Sequence, residues 1–131
     1  MKKEKSVNGK LERDKLKCLT ILSWHTGEGN AISMSDLYIR VFERNFSNKI
    51  NDTRPLRGVI KSLRRDGVPV CASDAGYFIA ADGSELSDYC SRIRHRALSM
   101  LSREAKLRKT TLPELLGQIQ MTLIPGSEAT I

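Results

Sequence analysis

Cysteine is scarce and irregularly placed in this sequence. The three thiols, Cys18, Cys71 and Cys90, are odd in number, lie far apart and include no C-x-x-C pair. Disulfide frameworks and zinc knuckles need paired, closely spaced cysteines. Neither is predicted, and the pattern favours reduced thiols in a cytoplasmic protein.

Long apolar runs are also missing. No stretch approaches the roughly 18 apolar residues of a membrane helix, and the N-terminal lysines are not followed by the apolar segment of a signal peptide. We therefore expect no membrane association. The first segment, residues 1–9, is expected to be basic and flexible.

The residue patterns of common enzymes are absent too. His25 and His95 lie far apart, and there is no pair of metal ligands at helical spacing, no nucleophile elbow, no phosphate-binding loop and no pair of carboxylates. We predict that the protein is not an enzyme. It is expected to have no catalytic residues, metal, cofactor or small-molecule substrate.

Positive charge is present in excess. The 131 residues carry a net charge of +7, with 40% hydrophobic and 28% charged residues, which is typical of a globular domain with a short extension. A field of this sign favours a polyanionic partner. The last segment, residues 110–131, contains no lysine or arginine and two glutamates, so we expect a different role for it.

The first half of the chain has the pattern of three helices. Residues 10–26 carry a broad apolar stripe that ends at a pair of glycines. Ser33 and Asp36 form a capping box that begins a short second helix. Asp52 is a good N-cap for a third helix, which ends at Gly67.

Two short apolar runs follow, Val68–Cys71 and Tyr77–Ala80, and the turn between them places Gly76 at a position that requires positive φ. This pattern predicts a β-hairpin. The predicted fold class is therefore mainly α with a small β-hairpin, in the element order of a winged helix-turn-helix followed by a long C-terminal helix and a short tail helix. The predicted boundaries are 10–82 for the winged-helix domain, 83–109 for a long basic helix and 110–131 for an acidic, apolar tail.

The third helix has two opposite faces. Its apolar residues, spaced for burial, are Leu56, Val59, Ile60 and Leu63. The other side is a basic stripe without any acidic residue, whereas a merely solvated helix usually mixes its charges. The predicted stripe consists of Arg54, Arg57, Gly58, Lys61 and Arg65.

This stripe predicts contact with double-stranded DNA, whose major groove is wide enough to admit a helix. Glycine within a helix costs up to about 1 kcal/mol relative to alanine, and a close approach by DNA would explain Gly58. Thr53, Arg54, Arg57 and Lys61 are predicted to reach base edges. Arg64 and Arg65 are predicted to contact phosphates. A solvated surface remains the alternative.

The stretches "GEGNAISMSDL" and "DTRPLRGVIKSLRRDGVPVCASDAGYFIA" resemble the winged-helix domains of the biotin-repressor type, and especially the small winged-helix proteins of bacteriophages and prophages. The resemblance spans about residues 12–109. The chain departs from the family in its longer connector, "RVFERNFSNKIN", and in Pro55. The resemblance implies DNA binding in the cytoplasm of a bacterial host, in regulation of transcription or in phage replication, without catalysis.

The long helix carries an apolar seam near heptad spacing. We expect this seam to pack on the hairpin and the first helix; a homodimer contact and a phosphate contact are the functional alternatives for its exposed end. The basic cluster at its end is interpreted as a solvated face. The seam consists of Leu86, Tyr89, Ile93, Ala97, Met100 and Leu101.

The tail offers an alternative function. The segment "QIQMTL" is similar to the hexapeptide with which bacterial proteins dock on the replicative β sliding clamp. In that comparison Gln118 would form hydrogen bonds at the rim of the pocket, and Met121 and Leu123, with Ile119, would supply apolar anchors. The alternative protein is an adaptor for host replication machinery; the ordinary interpretation is a helix that packs within the protein or on a second subunit.

Overall fold

The computed structural model describes the backbone of residues 2–123 and the side chains of residues 9–123. The fold is mainly α with a small antiparallel β-hairpin, as the sequence predicted. Three helices followed by a hairpin is the element order of a winged helix. The elements are α1 (Lys2–Leu22), a short 3-10 turn (Glu28–Asn30), α2 (Met34–Phe42), α3 (Arg54–Arg65), β1 (Val70–Ser73), β2 (Gly76–Ile79), α4 (Gly83–Leu107) and α5 (Leu112–Leu123).

The chain divides into unit 1, residues 1–89, and unit 2, residues 90–131, with the boundary inside α4. The sequence placed the corresponding boundary at residue 82. Glu85 explains why the first turns of α4 belong to unit 1, because its carboxylate accepts hydrogen bonds from the backbone N–H groups of Glu28, at 3.0 Å, and Ala81, at 2.8 Å.

The first helix is longer than expected. It begins at Lys2, whereas the apolar pattern indicated a start near Lys10. The predicted flexibility of residues 1–9 stays a prediction. Across the described residues 2–123, none of the helices has both the length and the apolar character needed to cross a bilayer.

Unit 1 is built around the apolar faces of its three helices, with α1 contacting both α2 and α3. Each fully buried aliphatic side chain contributes about 1.5–3 kcal/mol through the hydrophobic effect. Four of the buried residues lie on α3, so the core determines which face of α3 is turned outward. The core consists of Cys18, Leu22, Ile32, Leu37, Tyr38, Val41, Leu56, Val59, Ile60, Leu63 and Val70.

The ends of α2 and α3 are only partly as predicted. Ser33 is the N-cap of α2 and accepts a hydrogen bond from the backbone N–H of Asp36 at 3.1 Å, which confirms the N-cap half of the predicted capping box. The return bond from the Ser33 N–H to the Asp36 carboxylate is not formed among the described residues. The prediction that Asp52 caps α3 is wrong. Its carboxylate instead accepts the backbone N–H groups of Ser47 and Asn48, at 3.0 and 2.9 Å, and these bonds lower its pKa.

The hairpin joins β1 to β2, and Ile32 extends it. Ile32 forms an isolated antiparallel bridge with Tyr77, with backbone hydrogen bonds of 2.9 and 2.8 Å in the two directions. Gly76 has a φ of 131°, which confirms the predicted positive φ. A β-carbon at Gly76 would collide with the Ile32 carbonyl group, so the close approach of these two chain segments requires glycine.

Unit 2 contains the rest of α4, the turn after it and α5. Among its described residues, 90–123, the buried ones are Ala105 and Leu115. Thr111 begins α5 by accepting the backbone N–H of Glu114 at 3.3 Å, the contact expected of a capping box. The sequence predicted a buried seam on α4, but its central members Ile93, Ala97 and Met100 are exposed.

Candidate nucleic-acid interface

The third helix begins and ends with the expected local chemistry. Pro55 lies in its first turn, where a missing N–H leaves no broken bond. At its C-terminus Gly67 has a φ of 93°, and the backbone N–H groups of Gly67 and Val68 bond to the carbonyls of Arg64 and Leu63, each at 3.0 Å. This is a Schellman motif, which terminates α3 without leaving these carbonyls unpaired.

The outward face of α3 is basic. Leu56, Val59, Ile60 and Leu63 are at most 3% exposed, which fixes the rotation of the helix. At about 100° per residue, four residues on the side opposite this buried face project within an arc of about 60°. We name that exposed row the α3 stripe: Arg54, Gly58, Lys61 and Arg65.

The cations of the α3 stripe have no partner within the part of the chain that the structure describes. Arg54, Lys61 and Arg65 form no ion pair or side-chain hydrogen bond there. The nearest acid in sequence, Asp66, is bound to Lys15 of α1 at 2.6 Å, a contact that raises the pKa of Lys15. The stripe is therefore exposed and not neutralised by a carboxylate.

Gly58 occupies the middle of the α3 stripe. A β-carbon built at this position would meet no atom of the chain within 4 Å, apart from its own helix and neighbours. Packing within the protein therefore does not explain the glycine. The position leaves the helix backbone accessible from outside.

Arg57 lies at the edge of the stripe and is exposed, but its guanidinium is held by the preceding loop. Its Nη1 donates to the Thr53 hydroxyl at 3.0 Å, and its Nη2 donates to the Ile50 carbonyl at 2.6 Å. Thr53 in turn donates to the carbonyl of Lys49. This chain of hydrogen bonds orients Arg57 and leaves its outer edge toward solvent.

Two predicted contact residues are corrected by these positions. Thr53 is 0% exposed, so the prediction that it reaches a base edge is wrong, and its role is to position Arg57. Arg64 was assigned to phosphates, yet its Nε donates to the Val70 carbonyl at 2.8 Å and its Nη2 donates to the Tyr89 hydroxyl at 2.7 Å. Its guanidinium carbon also lies over the Tyr89 ring, 5.6 Å from the ring centre, so Arg64 joins α3 to the hairpin and to α4.

The hairpin contributes no positive charge. Residues 68–80 contain neither lysine nor arginine, and the turn carries the exposed Asp74. The sequence interpretation overlooked this feature, which is visible in the residues themselves. The candidate interface is therefore α3, without a basic wing.

The proposed docking segment of the tail is helical. Gln118, Ile119, Met121 and Leu123 all lie in α5. Met121 and Leu123 are 69% and 70% exposed, Gln118 is exposed and Ile119 is half-buried. At about 100° per residue, Met121 and Leu123 point about 160° apart, so the helix does not turn them toward one surface.

The described side chains show no assembled metal site: within residues 9–123, no three His, Cys, Asp or Glu side chains come together as ligands. Cys18 and Cys71 are buried, and burial raises the pKa of the Cys18 thiol to about 12.

A comparison with protein-family models, curated proteins and solved structures finds no match for the chain. The resemblance to phage winged-helix proteins therefore stays a prediction.

Proposed function

We propose that this protein binds double-stranded DNA through α3 and acts as a regulator of transcription or replication. The observation that carries the proposal is the α3 stripe: three cations and one glycine in an exposed row, directly opposite the face that the core holds. This arrangement supports a helix that enters the major groove with its cationic face turned outward by the core.

The row of cations suits a polyanion better than a small ligand. It runs along about 16 Å of helix at 1.5 Å per residue, and no carboxylate among the described side chains pairs with it. Neutralising phosphates releases condensed counterions, which makes such an interface both tight and sensitive to salt. Gly58 removes the side chain at the centre of the row, where the backbone would come closest to the DNA.

The residues of the interface have different roles in this proposal. Arg54 and Lys61, in the first three turns of α3, are the candidates for base edges, and Arg65 near its end is the candidate for a phosphate. Arg57 contacts a flanking phosphate in the orientation that Thr53 and Ile50 give it. Arg64 stabilises the domain and does not touch DNA.

Salt-dependent binding to duplex DNA tests the proposal. Selection from a random duplex library would first supply a preferred site, and fluorescence anisotropy would then measure affinity across a salt series. Each of Arg54→Gln, Lys61→Gln and Arg65→Gln should weaken binding, and a lost phosphate contact should reduce the salt slope by about 1. Arg13→Gln, at an exposed position on α1, is the matched control and should leave affinity unchanged.

The outcome that would contradict the proposal is equal affinity in the three α3 variants and the Arg13 control. That result would assign any DNA binding to general positive charge. If the library enriched no site, sequence-specific regulation would be excluded. Non-specific DNA binding would then be tested by measuring the affinity of the same variants for an arbitrary duplex.

A second proposal is docking on the β sliding clamp through the tail. It is supported by the exposure of Met121 and Leu123, at 69% and 70%. Because these side chains diverge on α5, docking both in one pocket requires the last turns of the helix to unwind. The clamp proposal therefore includes a cost in helix stability that the DNA proposal does not.

A further inference from the structure

Unit 2 exposes three large apolar side chains in one row. Ile93, Met100 and Leu107 are 44%, 62% and 79% exposed. Each follows the previous one at the heptad interval, so at about 100° per residue they project within about 40° of one another. We name this row the α4 apolar line.

The described residues of unit 2 bury few side chains of their own. Ala105 and Leu115 are buried, whereas every residue from Cys90 to Met100 is exposed. A segment of roughly 40 residues is at the size where a core of its own is marginal and is usually supplemented by disulfides, metals or contact with another chain. The α4 apolar line therefore has the properties of an interface that is completed by a partner.

Cations border one side of the line. Arg96 and Arg103 each follow a member of the line by three residues, are exposed, and form no ion pair or side-chain hydrogen bond within the described residues. Between residues 91 and 109 the acid is Glu104, and it is already bound to Arg108 at 2.7 Å. The border consequently presents positive charge that the protein does not neutralise.

The form of this surface distinguishes among occupants. An apolar row with one member per heptad supplies one of the two positions of a coiled-coil seam, with Arg96 and Arg103 flanking it, whereas a helix lying on a membrane presents a wider apolar face. A second copy of the chain would bring the same excess of cations to the interface, and like charges beside a seam oppose pairing. An acidic amphipathic helix would supply apolar side chains to cover the line and negative charge to pair with the bordering arginines.

We propose that the α4 apolar line is a docking site for an acidic amphipathic helix of another protein. Apolar side chains of that helix pack against Ile93, Met100 and Leu107 in coiled-coil fashion. Its glutamates or aspartates face Arg96 and Arg103. The site adds a protein partner to the proposed DNA-binding function and does not depend on it.

Two synthetic peptides of three heptads test this site against the full-length protein. Both carry leucine at the core positions, and the flanking positions carry glutamate in one peptide and lysine in the other. We expect the acidic peptide to bind, with an affinity that falls as salt rises, and the basic peptide not to bind. Met100→Asp should weaken binding of the acidic peptide about 10-fold or more.

Charge reversal provides the sharper measurement. The double variant Arg96→Glu with Arg103→Glu should lose the acidic peptide and bind the basic one. Arg40→Glu, an exposed cation on α2, is the matched control and should retain the preference for the acidic peptide. Circular dichroism melting of each variant shows that the protein remains folded.

Several results would overturn the proposal. Equal binding of both peptides would show that the surface makes an apolar contact without selecting the charge of its partner. A dimer in light scattering that Met100→Asp dissociates would assign the line to a second copy, and preferential binding to anionic vesicles would assign it to a membrane surface. If the double charge reversal weakened DNA binding but left peptide binding unchanged, Arg96 and Arg103 would belong to a DNA contact. None of these results alters the test of α3, which uses Arg54 and Lys61.

Discussion

Replacing Gly58 by alanine should change stability and DNA affinity in opposite directions. A β-carbon at this position meets no atom of the chain within 4 Å beyond its own helix and neighbours, so alanine adds no steric conflict within the protein. The gain in helix propensity is about 0.8–1.0 kcal/mol, which corresponds to a rise in Tm of about 4–8 °C for a unit of this size. The methyl group would face DNA at the point of closest approach. Overpacking a tight contact costs about 1–3 kcal/mol, a 5- to 150-fold loss of affinity, roughly.

Thermal melting followed by circular dichroism measures the first effect, and fluorescence anisotropy with a labelled duplex measures the second. Gly58→Leu keeps most of the propensity gain with a larger side chain, so it should retain the higher Tm and bind DNA still more weakly. Unchanged affinity in both variants would refute the close approach of DNA. Gly76→Ala is the contrasting control, because collision with the Ile32 carbonyl should lower Tm.

Three further predictions concern other residues. Thr53→Val removes the hydroxyl that holds Arg57, and should lower the free energy of unfolding by about 1–3 kcal/mol in denaturant titrations. It should also weaken DNA binding, by as much as the variant Arg57→Gln measured beside it. Asp52 has a lowered pKa, so its contribution to stability is present at neutral pH and is lost as pH falls through that pKa. In the variant Asp52→Asn, the free energy of unfolding should therefore fall less steeply with pH below about pH 4. Gln118→Ala with Leu123→Ala should abolish capture of the purified clamp; retained capture would exclude the tail.

Local patterns predicted the elements of this fold well. The apolar spacing on α3, the N-cap of α2 and the glycine after α3 each depend on residues within one or two turns of one another, and the structure confirms them. The exposed row of Arg54, Gly58 and Lys61 follows from the same periodicity, since burying one face of a helix determines the opposite face.

The corrected residues depend on contacts that sequence spacing does not reveal. Asp52 has the composition of an N-cap, but the connector before α3 folds into a turn whose backbone N–H groups bind its carboxylate instead. Arg64 meets Tyr89, distant in sequence, and Thr53 is buried beneath the side chain of Arg57. A helical pattern identifies which residues share a face, yet it does not show which of their polar atoms already have partners.

In the proposed DNA complex, the acid at the hairpin turn would favour approach of the duplex from the other side of the domain. Asp74 is exposed and no lysine or arginine lies in residues 68–80, so phosphates brought against the hairpin meet repulsion within a Debye length of about 10 Å. Under the proposed function, a duplex would be directed away from the hairpin tip and toward the cationic helix. The negative charge would then act as a steering element that favours one polarity of docking before any base is read.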